Sequence, residues 1–321
     1  MIKHSEASMV NIHGYLPIWK PSGPTSFDIV HKIRKASRIR KVGHGGTLDP
    51  LAEGILPILL GSSTKMNVEL ESYAKTYSAK ILLGTTTDTL DLEGKIITEL
   101  PVPNLTATHI SNILSSFKGE VEQVPPMYSA LKHNGKRLYD LARQGITVKR
   151  NARKVTIYDI RLEKIDLPFI TINVVCGKGT YIRSLASDIG EILGCGATLQ
   201  YLARTRYGAF SESNHVELEQ VLAQLESQNY SSIMPPYFIF AHWPSISLTE
   251  GQEGKVRNGL DIEIDPKQIT SPSKPNEYPF VPEPPEEKII ALDSRNTMVS
   301  ILTKNGLGIW HPSRLIPKQS D

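Results

Sequence analysis

Gly43-His44-Gly45-Gly46-Thr47-Leu48-Asp49-Pro50-Leu51-Ala52-Glu53-Gly54-Ile55-Leu56-Pro57-Ile58-Leu59-Leu60 sets one acid, Asp49, between a glycine-rich turn and an apolar run. Gly43, Gly45 and Gly46 allow φ > 0 or the close approach of a ligand to the backbone, and Pro50 steers Asp49 out of the helical region. Two readings follow. Asp49 is a reactive carboxylate held in a fixed loop, or it caps a helix whose first turn starts at Pro50.

Upstream, residues 16–20 read as a short strand and residues 22–26 as a turn that caps a helix, with Phe27, Val30, Ile33 and Ser37 on its buried face. Downstream, alternation predicts a strand over 76–83. Ile110, Ile113, Leu114 and Phe117 mark a helix ending near Gly119, and residues 124–130 are extended. Leu138, Leu141 and Ala142 mark a short helix stopped by Gly145. Strands follow over 154–164 and 169–176, then a helix capped by Thr180 that shows Ile182, Leu185, Ile189 and Ile192, then a strand over 198–207. Strands and helices are mixed without regular βαβ alternation, which predicts an α+β fold.

A helix with Val221, Leu222 and Leu225 leads to Pro235-Pro236, where the large domain is expected to close. This gives a domain over 1–240 and a small β-rich one over 241–321. In the latter Gly251, Gly254 and Gly259 are expected to punctuate short strands, residues 271–285 to form an irregular loop, and 289–292, 297–302 and 308–311 to be strands.

No run of about 18 apolar residues exists, and the N-terminus lacks an apolar leader, so the expectation is a cytoplasmic protein without a membrane partner. Two cysteines, Cys176 and Cys195, give neither a disulfide framework nor a CxxC pair, and the nine histidines show no close ligand spacing, so no metal site is expected. A net charge of +3 does not argue for nucleic acid, but its distribution does. Residues 31–41 hold six Lys or Arg and no acid. Between 132 and 154, Lys132, Lys136, Arg137, Arg143, Lys149, Arg150, Arg153 and Lys154 face only Asp140. Such runs are solvated faces or phosphate-contacting surfaces, and one lies directly before the Asp49 loop.

The Asp49 segment resembles the signature of the TruB family of tRNA pseudouridine synthases, G-H-x-G-x-L-D-P-x-A-x-G-x-L, at every fixed position. Further motifs carry the resemblance from about residue 16 to 207. Lys75-Thr76-Tyr77 is similar to the family's K-x-Y, Lys178-Gly179-Thr180-Tyr181-Ile182-Arg183 to its K-G-T-Y-I-R, and Tyr201-Leu202 to its last motif. The resemblance implies a mixed, mainly antiparallel sheet of the pseudouridine synthase type and a PUA-like C-terminal domain. It implies that Asp49 is catalytic with Tyr77, which stacks on the uracil, and Arg183, which pairs with the aspartate. His44 would fill the space left by a flipped base, and Leu202 would pack on the base. Lys20, Gly45 and Tyr181 are expected at the substrate site. An insertion at about 124–154 would grip the T-arm of tRNA through Lys132, Arg137 and Arg143. Taken singly, these residues also fit plain structural roles: Tyr77 as an edge aromatic, Arg183 as a surface charge, His44 bonding its own turn, Leu202 as core.

The implied reaction, uridine to pseudouridine at position 55 of tRNA, needs no cofactor and no protein partner, and a monomer is expected. Asp49 could add to uracil C6, attack C1′ of the ribose or abstract the C2′ proton. The alternatives are a guide-RNA-dependent synthase acting on ribosomal RNA, a non-catalytic tRNA-binding chaperone, and an aspartate-nucleophile hydrolase.

Overall fold

The computed structural model describes residues 11–272 and 282–318. The chain divides into two compact units, Met1–Tyr73 with Arg206–Asp321, and Ala74–Thr205.

In the first unit, β1 (Gly14–Lys20) leads through a turn to α1 (Ser26–Ser37), then β2 (Val42–His44), β3 (Glu53–Leu60), a 3-10 turn over Gly61–Met66 and α2 (Asn67–Glu71). Thr25 caps α1 in a reciprocal box with Asp28, and Arg38 ends it in the left-handed region. The buried face of α1 is Ser26, Ile29, Val30, Ile33 and Ser37. Phe27, expected on that face, is 64% exposed because it sits one position round the helix from Ser26. The apolar run after Asp49 is strand β3, antiparallel to β1 and β2 with Pro17 opposite Pro57 and His44 opposite Ile58. No helix starts at Pro50, so Asp49 is not a helix cap.

In the second unit, β4 (Lys75–Leu83) alternates buried and half-buried residues throughout. A hairpin of β5 (Thr85–Thr87) and β6 (Ile96–Glu99) follows, then α3 (Ala107–Ser116) and β7 (Gly119–Gln123). Between Gln123 and Arg153 the chain makes a small hairpin, β8 (Lys132–His133) and β9 (Lys136–Arg137), and α4 (Leu138–Arg143). Asn134 and Gly135, at φ 50° and 81°, supply the tight hairpin turn. Long strands β10 (Arg153–Asp166) and β11 (Phe169–Cys176), helix α5 (Ile182–Ile192) and strand β12 (Ala197–Tyr207) complete the unit. Its sheet runs β12, β4, β11, β10, β7, with antiparallel pairing from β4 to β7. Two expectations for α5 are corrected. Thr180 does not cap it; its hydroxyl donates to the Gly177 carbonyl, and Tyr181 is the cap residue without a side-chain bond to the helix start. Ile192 is 56% exposed, because the helix ends there and the buried stripe stops at Ile189 and Gly190.

The chain re-enters the first unit with β13 (Phe210–Ser211), β14 (Val216–Glu217) parallel to β1, and α6 (Leu218–Glu226), which packs on α1. A 3-10 turn over Pro236–Phe240 precedes β15 (Ser245–Ser247), α7 (Glu250–Arg257), β16 (Lys288–Leu292), β17 (Met298–Lys304) and β18 (Trp310–Leu315). The last four strands form one sheet in the order β15, β16, β17, β18. Gly251 and Gly254 lie inside α7 rather than between strands. Each glycine costs the helix about 1 kcal/mol, but Thr249 and Gln252 close a capping box that anchors its start. The sheet buries both faces. Ile290, Leu292, Met298 and Ile301 join Tyr15, Leu59, Tyr73, Phe210 and Phe240 in one core, while Ile289, Ala291, Val299, Leu302 and Trp310 pack with Val256 and Ile262 in a second. Residues on both sides of the expected boundary at residue 240 thus share the first of these cores. Most of the loop expected at 271–285 lies outside the described residues.

Candidate active site

Asp49 is half-buried in the first unit, in the loop between β2 and β3. The segment from Lys20, at the end of β1, to Ser26, the first residue of α1, holds the peptides on both sides of it. Ser26 Oγ accepts from the Leu48 N–H at 2.9 Å and donates to the Leu48 carbonyl at 3.1 Å. The Pro50 carbonyl accepts from the Gly23 N–H at 2.8 Å and from Lys20 Nζ at 3.2 Å, and the Leu51 carbonyl accepts from Ser22 Oγ at 3.0 Å. Ala52 N–H closes a turn onto the Asp49 carbonyl. A backbone pinned at Leu48, Pro50 and Leu51 leaves the acid little freedom, which is how a carboxylate is pre-organised for chemistry.

Lys20, expected at the substrate site, is fully buried, and its ammonium also donates to the carbonyls of Pro21 and Pro24, both at 2.9 Å. Charge-assisted bonds to converging carbonyls make it a clamp for the loop. His44 is half-buried at the end of β2. Gly45 donates to the Pro57 carbonyl, and a Cβ on it would come 2.5 Å from Leu70 Cδ2, so packing rather than positive φ requires glycine there. Gly46 takes the φ of 81° that turns the chain.

The second unit holds Tyr77, Arg183, Tyr181 and Leu202. Tyr77 is buried on β4 opposite Val174, and Leu202 is buried on β12. Arg183, in the first turn of α5, is 4% exposed, which rules out a surface charge. Its Nη1 stands 3.3 Å from an Asp91 carboxylate oxygen and donates to the Thr89 carbonyl at 3.1 Å, while Nη2 donates to the Tyr128 carbonyl at 2.7 Å. Asp91 is buried too. Its other oxygen accepts from Thr89 Oγ1 and from the Glu93 N–H, and its backbone bridges to Leu199 on β12, three residues before Leu202. Gly94 closes this turn against Thr89 and Asp88, where a Cβ would collide with both.

Lys132, Arg137 and Arg143 are exposed on the insertion. Met127, Leu138 and Leu141 form a small apolar cluster beneath them. Arg137 and Arg143 lie 5.7 and 5.6 Å from the Tyr139 ring, and Arg137 also donates to its hydroxyl. The ring spaces two guanidiniums as a pair suited to phosphate oxygens. On α1 and the loop after it, Lys32, Arg34, Lys35, Arg38, Arg40 and Lys41 form a second exposed set of cations that precedes the Asp49 loop.

Comparison with known proteins decides the family. A protein of Dehalococcoides mccartyi strain BAV1 named tRNA pseudouridine synthase B is 41% identical over 308 residues, 96% of this chain and 97% of that protein. Its namesake in Clostridium tetani is 43% identical over 88% of this chain and 96% of that one. The chain belongs to the TruB family of pseudouridine synthases. Residues 34–182 match the N-terminal domain of the TruB family pseudouridylate synthases, and residues 183–235 match the tRNA pseudouridylate synthase B C-terminal domain. A solved Cbf5–Nop10–Gar1 complex contains a chain that superposes with a TM-score of 0.67 at 25% identity, covering 91% of this chain and 78% of that one. The α+β pseudouridine synthase fold expected from the sequence is thus borne out.

In this TruB family member, Ser26 in the first unit holds Leu48, and Asp91, Thr89 and Gln123 in the second hold Arg183 and Tyr181, without carrying a motif that the sequence alone would single out. Asp91 lies in Gly84-Thr85-Thr86-Thr87-Asp88-Thr89-Leu90-Asp91-Leu92-Glu93-Gly94, a threonine-rich turn with a closing glycine. That composition after a strand is the one local signal of a structured turn. Among the described residues no three of His, Cys, Asp and Glu stand together to hold a metal ion, and no helix is long and apolar enough to cross a membrane.

Proposed function

We propose that this chain isomerises uridine to pseudouridine at position 55 in the T-loop of tRNA, as a cytoplasmic monomer that needs neither cofactor nor protein partner. The observation that carries this reading is the identity of 41% along almost the whole length of a relative named tRNA pseudouridine synthase B. The pinned backbone around Asp49 supports it.

In the reaction the N1–C1′ bond breaks, the uracil turns, C5 bonds to the same C1′, and the C5 proton is lost while N1 gains one. No atoms are imported, so positioning and proton transfer suffice. Asp49 supplies the carboxylate, whether at C6, C1′ or the C2′ proton, and in all three roles it acts ionised. Tyr77 stacks on the base and keeps it through its rotation, with Leu202 packed beside it. Arg183 orients the acid, and Asp91 orients Arg183. Taking the uridine out of its stack costs roughly a few kcal/mol, and His44 offsets part of it by stacking in the vacated space. The exposed cations of the insertion and of α1 hold the phosphates of the arm.

The likeness to the Cbf5 chain keeps a second reading in view, a synthase that depends on other proteins. One experiment separates them. The purified chain alone converts uridine 55 of an unmodified tRNA transcript, mapped by pseudouridine-specific chemistry. Conversion only on addition of guide RNA and proteins overturns the proposal.

A further inference from the structure

We propose that Gln123 is a positioning residue that couples the basic insertion to Arg183, an inference that rests on the function proposed above. Gln123 ends β7, where the insertion begins, and is 3% exposed. Its amide spends both of its functions on one residue of another element: Nε2 donates to the Tyr181 carbonyl at 3.0 Å and Oε1 accepts from the Tyr181 N–H at 2.7 Å. Tyr181 is the cap residue of α5 and its side chain does not cap the helix. Two amide bonds to a single residue fix its position and its orientation, so Gln123 sets the start of the helix that carries Arg183 two residues later.

The contact continues along the strap. Ser184 Oγ donates to the Val124 carbonyl at 3.0 Å, and Arg183 Nη2 donates to the Tyr128 carbonyl at 2.7 Å. Residues 123–128, the outgoing leg of the insertion, are therefore bonded to Tyr181, Arg183 and Ser184. Arg150 on the return leg donates to the Pro125 carbonyl at 3.1 Å, which ties the two legs together. Beyond the strap, the insertion rests on the small cluster of Met127, Leu138 and Leu141 and exposes its cations. An element with so small an apolar base follows its ligand. RNA gripped by Arg137 and Arg143 pulls on Met127 and Tyr128, and through them on the guanidinium of Arg183. The strap makes the geometry of the arginine depend on a bound arm, so that only RNA seated on the insertion meets a fully ordered site.

The test uses the full chain with Gln123→Ala, Gln123→Glu and Arg143→Ala, singly and with Gln123→Ala and Arg143→Ala combined. Single-turnover release of tritium from uracil C5 is measured at saturating tRNA, with tRNA affinity measured separately. Gln123→Ala lowers the rate by about 10- to 100-fold, the scale of a misplacement near 1 Å. Its tRNA Kd stays within about twofold of wild type, the signature of a lost transition-state interaction. Gln123→Glu keeps the acceptor and loses the donor, and falls between the two. Arg143→Ala slows the saturated reaction in the wild-type background and adds nothing to Gln123→Ala. Unchanged rates in Gln123→Ala, equal effects of Arg143→Ala in both backgrounds, or a rate loss that matches the unfolded fraction in a thermal melt each overturn the coupling. Failure of the functional reading shows elsewhere, as a wild type that releases no tritium. In that event hydrogen exchange still decides the structural claim: the amides of Arg183 and Ser184 exchange faster in Gln123→Ala, and unchanged protection refutes it.

Discussion

The guanidinium of Arg183 lies 3.3 Å from the carboxylate of Asp91, with the two side chains 5% and 4% exposed. A cation this deep depends on its partner. Asp91→Ala removes that buried carboxylate and destabilises the protein by about 3–5 kcal/mol. Chemical denaturation measures that loss, and single-turnover assays on the remaining folded protein show a slower isomerisation with little change in tRNA affinity. A variant as stable and as fast as wild type would show that the pair has neither role.

Ser26 and Lys20 act on the loop of Asp49 from behind. Ser26→Ala strips both backbone groups of Leu48 of a buried partner, at a cost of about 1–3 kcal/mol. Lys20→Met removes the charge shared among three carbonyls and costs on the order of 3 kcal/mol. Both variants lower kcat more than they raise KM, because the loop loosens while the exposed cations of the insertion and of α1 stay in place. Steady-state kinetics on tRNA transcripts with thermal melts as control check this.

Burial holds His13 and His242 below the ordinary imidazole value of 6.5. His13 Nδ1 accepts from the Ser62 N–H and has to stay unprotonated to do so. The unfolded chain takes up these protons first as pH falls, so stability is full above about 6.5 and declines below it. Asp188 runs the other way. Burial, with Glu191 adding repulsion, pushes its carboxyl up from 3.8 to about 6. The stability it contributes is present below pH 3.8 and is lost as pH rises through about 6. Asp188→Asn accordingly melts higher than wild type at about pH 8, and the gap closes near pH 4. Melting curves across this range test both signs.

On the function proposed above, Arg137 and Arg143, paired over Tyr139, hold RNA phosphate. Replacing either by alanine weakens tRNA binding and makes the slope of log K against log salt shallower by about 0.7–0.9 for each phosphate left without its cation. Affinity titrations at several salt concentrations measure the slope, and an unchanged slope removes the residue from the phosphate interface.

Much of this arrangement is legible in the sequence where the signal is local. The strands containing Tyr77 and Leu202 and the helix of Arg183 follow from alternation and periodicity. The glycine, proline and aspartate of the loop follow from backbone restriction. What escapes depends on convergence of distant residues. Lys20 is expected at the substrate site, and nothing local shows the carbonyls of Pro21, Pro24 and Pro50 meeting at its ammonium. Asp91 is far from Arg183 along the chain, in a threonine-rich segment that signals a turn but not its partner, and Gln123 looks like any polar strand end. In α7 two glycines mask a capping box that the structure honours. The core shared by β16, β17 and Tyr15 is invisible to a boundary drawn from prolines.

The central claim is that Asp49 carries the isomerisation. The most direct measurement is tritium release from a tRNA transcript labelled at uracil C5, incubated with wild type and with Asp49→Asn, which preserves the size of the side chain and removes its charge. The account predicts complete release by wild type and none above background by Asp49→Asn, at equal tRNA affinity. Equal release by both, or release by neither, would contradict it.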